Sequence, residues 1–221
     1  MARPETTIDV VSDVVCPWCY LGKRRLERAL RLLPEGGMAT AWRPFRLDPT
    51  IPPGGIARET YLTRKFGSVA AVADSHRRLT DLGRDEGIDF RFDLIARSPN
   101  TVDAHRLIRW AETVGRQDAM VERLFRAYFS EGLDVGDTEV LVGLAGEVGL
   151  GDGVAERLAG DDDRAEVAGE IENAYRIGVS GVPCFIVNRR CAVMGAQPGE
   201  VLARTIMQAS EQAAKEGAAQ A

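Results

Sequence analysis

Apolar positions in this chain repeat with two different periods, and the change from one to the other divides it. Ile8 to Val11 is a short β-branched run ending at Ser12 and Asp13, which predicts a buried central strand. From Pro17 to about Leu33, Cys19, Leu26, Leu30 and Leu33 recur at helical spacing until Pro34 to Gly37 stops the pattern. Met38 to Leu47, carrying Trp42 and Phe45, predicts a second strand, and the strand–helix–strand order implies a parallel crossover. Asp48 to Gly55 is turn-rich, and the next ~100 residues show helical spacing with little that looks like a strand. The spacing predicts helices near 58–66, 69–86, 101–115, 117–131, 137–149 and 152–159, with glycines such as Gly67, Gly115 and Gly149 at their ends and Asp137 as an N-cap. A further helix is predicted over 163–178, then a strand at 184–187, a hairpin turn at Asn188 and Arg189, and a return strand from Ala192 to Met194. A closing helix starts at Gly199 and is expected to fray from Glu211. The pattern predicts an α/β unit in two parts, residues 5–50 and 163–215, interrupted by an all-α unit at 51–162.

Composition narrows the function classes. With 221 residues, 45% of them hydrophobic, the chain can bury a sizeable core. Its formal charge of −5, without a run of about five like charges, argues against nucleic acid or an anionic membrane as the main partner. Lys23, Arg24 and Arg25 are read as a solvated helix face. Met1 to Thr7 carries no long apolar leader, and no stretch approaches about 18 apolar residues, so neither export nor a membrane span is expected. Four cysteines are too few for a secreted disulfide scaffold, which leaves a cytoplasmic redox or metal protein.

The chemistry is concentrated in Cys16, Pro17, Trp18 and Cys19, where the first strand meets the first helix. Pro17 suits the first helical position, which places Cys16 near the N-cap with its sulfur over unpaired amides. A helix N-terminus favours an anionic sulfur, and the thiolate is the nucleophile of disulfide exchange. Cys16 is therefore read as the attacking thiol. Cys19, one helical turn on, is within reach of a disulfide and is the resolving thiol. A zinc site would need two further ligands, yet only Cys184, Cys191, His76 and His105 remain, without a second Cys-x-x-Cys or a spaced His pair. Dithiol chemistry is accordingly preferred to a metal centre and to two unconnected structural cysteines, and no cofactor or metal is expected.

Several stretches together resemble one family: Ser12 to Gly22, Pro44-Phe45, Asn100 to Leu107, Phe125 to Phe129, Gly178 to Pro183, and Gly195 to Pro198. They are similar to the DsbA-type thiol–disulfide oxidoreductases, specifically the FrnE-like branch, and the resemblance implies a thioredoxin-like fold with an inserted all-α helical domain. It also implies a cis bond between Val182 and Pro183 facing the two sulfurs, with the Val182 backbone exposed to pair with an extended substrate segment. The implied partners are a disulfide-containing peptide, protein or small molecule, and a thiol reductant such as glutathione or thioredoxin.

Other residues carry weaker expectations. The resemblance places His105 and Asn100 on the side of the insertion that looks toward the thiols. A buried stripe of Ala104, Leu107, Ile108, Ala111 and Val114 sets His105 ~120° from its centre, outside the core, as a substrate contact, a proton carrier or a polar flank. Asn100 is either a substrate contact or a helix cap. Trp18 shapes a groove or merely constrains the turn, and Asp13 either shuttles a proton for Cys19 or is a solvated loop carboxylate. A two-residue turn would pair 184 with 193 and 186 with 191, placing Cys184 and Cys191 diagonally on one face, as two semi-buried thiols or as a strained second redox pair. Two rival functions stay open. The 2-hydroxychromene-2-carboxylate isomerases and kappa-class glutathione transferases share this architecture but typically carry serine where this chain has Cys16. A redox-regulated chaperone would need only an exposed apolar groove.

Overall fold

The computed structural model describes residues 6–34 and 37–219; the first five residues and the Glu35–Gly36 part of the first helix stop lie outside them. Strand β1 (Thr6–Ser12) leads into helix α1 (Pro17–Leu32) and returns as β2 (Met38–Pro44), which pairs with β1 in parallel from Thr6 opposite Met38 to Ser12 opposite Pro44. A two-residue strand, β3 (Ile56–Ala57), precedes α2 (Arg58–Phe66) and α3 (Val69–Asp85) and pairs with β4 (Arg97–Ser98). This ribbon was not predicted, because two residues are too few to show any periodicity. Then follow α4 (Val102–Thr113), α5 (Gln117–Phe129), α6 (Thr138–Val148), α7 (Val154–Ala159) and α8 (Arg164–Arg176). Asp137 accepts from the amides of Glu139 and Val140, and Gly67 and Gly149 end α2 and α6 in the left-handed conformation.

The chain re-enters the sheet as β5 (Cys184–Val187) and β6 (Cys191–Met194) and ends in α9 (Gly199–Ala219). The strand order is β2-β1-β5-β6, with β5 antiparallel to both neighbours. Side chains alternate across β1. Ile8 and Val10 pack with Leu21, Phe185, Val187 and Leu202, whereas Val11 packs on the other face with Phe45, Ala174, Val179 and Cys184. Helix α9 continues through the stretch expected to fray.

The hairpin corrects the predicted register. Cys184 lies opposite Met194 and Val187 opposite Cys191, one residue further than a two-residue turn would give. A one-residue slip moves every side chain to the other face. Cys184 and Cys191 therefore occupy opposite faces of the hairpin, and the second redox pair is excluded by the pleat. Asn188 and Arg189 do form the turn, both with positive φ.

The helical segment shares its core with the sheet. One buried cluster joins Ile8, Val10 and Cys19 to Leu107, Phe125 and Phe129. Tyr20 of α1 stacks on Phe125 of α5 at 5.0 Å and meets Phe90 edge-on at 6.0 Å. The predicted solvated face at Lys23 is corrected as well: Lys23 is 2% exposed, and its ammonium reaches Asp118 at 3.1 Å and Glu122 at 3.2 Å, with Glu27 as a third partner.

Candidate active site

The site is assembled where β1 runs out. The Cys16 amide donates to the Asp13 carbonyl at 3.0 Å, and the Cys16 carbonyl accepts from the amides of Cys19 at 2.9 Å and Tyr20 at 3.3 Å, so the first turn of α1 begins at the thiol pair. Pro17 stands at the helix start, and the Cys16 side chain makes no capping bond to that turn. Its Sγ instead faces the Val182 carbonyl at 3.7 Å. The Val182–Pro183 peptide is cis. Pro183 is held from both sides: its carbonyl accepts from the Gly195 amide at 2.8 Å, and its ring lies against Gly22 of α1. A Cβ at Gly22 would come within 2.8 Å of the Pro183 ring and 3.3 Å of Phe185, so only glycine allows α1 to approach this closely. A glycine inside a helical pattern, which costs about 1 kcal/mol against alanine, was the signal for that contact, and the motif reading left it without a role.

Both sulfurs are sheltered, Cys16 with 3% exposure and Cys19 with none. Burial pushes the Cys19 thiol well above its ordinary value, and the hydrogen bond and charge of Cys16 push it further; the Ser12 side chain and the Asp13 backbone oppose this only in part. Cys19 thus holds its proton while Cys16 is free. Trp18, half-buried between them, is covered by the Arg78 guanidinium of α3, 5.6 Å from its ring.

Asp13 is not the solvated carboxylate of one sequence reading. It is 2% exposed; one oxygen accepts from the Leu47 amide at 2.8 Å, and the other has no hydrogen-bond partner and lies 3.6 Å from His105 Nε2. His105 is correspondingly a core residue, with Nε2 3.0 Å from the Phe45 carbonyl. That contact needs a proton on Nε2, because a carbonyl can only accept. Helical spacing misplaces His105 because α4 is enclosed by α5, α6 and α8 and only Val102, Asp103 and Arg109 of its first two turns are partly exposed; Val114, assigned to the stripe, is exposed. Asn100 is occupied elsewhere, accepting from Val102 at 3.1 Å and donating to the Ile51 carbonyl at 3.0 Å.

Cys16, Pro17, Trp18, Cys19, Val182 and Pro183 therefore converge, with Asp13 and His105 forming a buried polar layer beside them. Cys184 adjoins Pro183 in sequence, but its side chain is buried on the far face of the sheet, where burial raises its thiol. Among the described residues no cluster of three or more metal-ligating side chains exists, and no helix is long and apolar enough to cross a membrane.

The chain as a whole is similar to known proteins. The family model of the DSBA-like thioredoxin domain matches residues 7–207. The chain is similar to the crystal structure of a probable DsbA oxidoreductase, SCO1869, from Streptomyces coelicolor, at 33% identity and a TM-score of 0.84 over 92% of this chain and 89% of that one. It is 27% identical over 206 residues to the uncharacterized protein YwbO of Bacillus subtilis, covering 90% of this chain and 94% of that protein. The cytosolic disulfide reductase DsbM of Pseudomonas aeruginosa, solved with glutathione, shares the fold at 24% identity and a TM-score of 0.61, over 95% of this chain and 98% of that one.

Proposed function

The chain belongs to the DSBA-like thioredoxin-domain family of thiol–disulfide oxidoreductases, and from that premise we propose that it exchanges disulfides through Cys16 as nucleophile and Cys19 as resolving thiol. The observation that carries this reading is the placement of Cys16 Sγ at the start of α1 and 3.7 Å from the Val182 carbonyl, with the more deeply buried Cys19 one turn behind it. In the reduced chain the Cys16 thiolate attacks a substrate disulfide. That S–S bond breaks, a mixed disulfide forms, and the departing sulfur takes up a proton. Cys19 then gives up its proton and attacks the Cys16 sulfur, releasing the substrate as a dithiol and leaving a Cys16–Cys19 disulfide; two electrons have passed to the substrate. The causes of the Cys19 shift supply a timing device. Once Cys16 is tied up in the mixed disulfide, its hydrogen bond and charge no longer act on Cys19, only burial still raises the thiol, and ionisation becomes easier at the step that needs it.

The substrate is a peptide, protein or small-molecule disulfide whose cysteine segment lies along the Val182 backbone. Glutathione or thioredoxin in the cytoplasm restores the dithiol; the glutathione bound in the DsbM structure supports the first of these by analogy of fold. Trp18 and Pro183 line the approach, and Asp13 with His105 is the buried polar pair beside it. A glutathione-dependent isomerase would borrow a foreign thiol at the position where this chain supplies Cys16.

The test is a redox titration in glutathione buffers with thiols trapped and located by mass spectrometry. A single two-electron transition confined to Cys16 and Cys19, with Cys184 and Cys191 reduced throughout, is the expected outcome, and Cys19→Ser should accumulate the mixed disulfide. A pair that never oxidises, or isomerase turnover that survives Cys16→Ser, would overturn the reading.

A further inference from the structure

The sheet is covered unequally. Helices α1 and α9 pack on the face bearing Ile8, Val10, Phe185 and Val187, whereas on the other face α8 lies over β2 and helps cover Cys184 but leaves Ile186 half-buried and Ala192 and Met194 exposed. The result is a cavity of about 680 Å³ floored by Val11, Cys184 and Ile186 and walled by Ile177, Val179 and Met194. This is within the size range of small-molecule sites, about 300–1,000 Å³. Ile177 and Met194 keep 58% and 42% exposure, large for apolar side chains flanking one hollow. The Cys184 thiol is held protonated by its burial, so the floor is apolar throughout.

The charged groups around this hollow are unequal too. Asp9 pairs with Arg43 at 2.8 Å, Glu170 with Arg109, and Arg190 with Glu216. Arg189, which also lines the cavity, has no hydrogen-bond or ion-pair partner among the described residues. It sits in the hairpin turn at φ 57°, in the left-handed region where a type I′ turn favours glycine. The fold thus holds an unpaired cation, on a residue its turn disfavours, at the edge of an apolar hollow.

We propose that this back-face cavity is a binding site, separate from the dithiol, for a small apolar molecule carrying one anionic group, with the apolar body on Val11, Ile186 and Met194 and the anion at Arg189. Size and concavity favour a small molecule over a protein segment, and the one uncompensated charge favours an anion.

The test uses the full-length chain and the fluorescent probe 8-anilinonaphthalene-1-sulfonate, displaced by decanoate or by decanol. A single saturable site is expected, with decanoate displacing the probe about tenfold more effectively than decanol, the worth of one charge-assisted bond. Arg189→Gly suits the turn, so its urea midpoint should not fall while it removes that tenfold preference; Ala192→Trp, at an exposed cavity-lining position on β6, should abolish probe binding. Equal displacement by the acid and the alcohol, an Arg189→Gly variant that keeps the preference, or unchanged binding in Ala192→Trp would each overturn the proposal. So would sedimentation showing a dimer that Ala192→Trp dissociates, with no decanoate binding, because the occupant would then be a second copy of the chain.

Discussion

At the scale of single residues, the proposed exchange rests on the difference between two cysteines three positions apart. Both are nearly inaccessible, and burial together with the hydrogen bond and charge of Cys16 keeps Cys19 protonated. This links redox state to stability. The Cys19 pKa is raised in the folded chain, so the contribution is complete below the ordinary value of 9.0 and is lost as the pH climbs toward the folded value. The reduced protein should therefore lose stability relative to the oxidised protein above about pH 9, and the loss should be shallower in Cys16→Ser, where only burial and a weaker neighbour act. Urea midpoints measured from pH 7 to 10 check this, and parallel curves for the two redox forms would contradict it. The pair itself was legible in the sequence, because a Cys-x-x-Cys at a helix start has few other uses. The burial of Asp13 and His105 was not, because it depends on α4 being laid against the loop after β2.

Between elements, a cluster of charged side chains joins α1 to α5. Lys23 carries its charge into an almost closed space; burial alone would lower its pKa, yet Asp118, Glu27 and Glu122 together raise it above the ordinary value. Arg24 reaches Glu122 from the same helix, Tyr20 donates to Glu122 at 3.0 Å, and Trp42 of β2 donates to Asp118 at 3.1 Å. This network fixes the helix that begins at Cys16. Lys23→Met removes the cation from the buried Glu122 Oε2, while Arg24 still holds Glu27 and Glu122, and should cost on the order of 2 kcal/mol, about what one unsatisfied buried charged group costs. Chemical denaturation measures the loss, and a variant within about 0.5 kcal/mol of the parent, the range of ordinary surface changes, would show the cluster to be solvated. Three consecutive basic residues read as a surface because no sequence pattern reveals carboxylates some 95 positions away. The hairpin register escaped for a different reason: four-residue strands fit two registers equally well, and the way the loop from Asn188 to Arg190 closes chooses between them.

For the whole molecule, the helical segment and the sheet are tied by one core. Phe125 and Phe129, both fully buried, lie in the same cluster as Ile8 and Phe185. Cutting Phe125 back to alanine should cost about 3–5 kcal/mol. The loss should appear in one transition, with tryptophan fluorescence and far-ultraviolet circular dichroism coincident, because the two parts have no separate cores to melt. Two resolved transitions would instead mark 51–162 as a domain that folds alone. The aromatic contacts of Tyr20 have a functional consequence as well: the helix carrying both thiols is clamped between sheet and insertion, so the distance from Cys16 to the Val182 carbonyl is set by both.

By itself the sequence determined what is local: helix and strand identity from spacing, caps from Asp137 and the glycines, and a dithiol at the junction of strand and helix. These follow from interactions within a few residues, which periodicity and turn chemistry record directly. Tertiary structure alone decided which face each hairpin cysteine takes, that Lys23 and His105 are buried, that Gly22 admits Pro183, and that one face of the sheet is left partly open beside Arg189. Each of these depends on where distant segments meet, and burial is a property of the assembled neighbours, not of the residue that is buried.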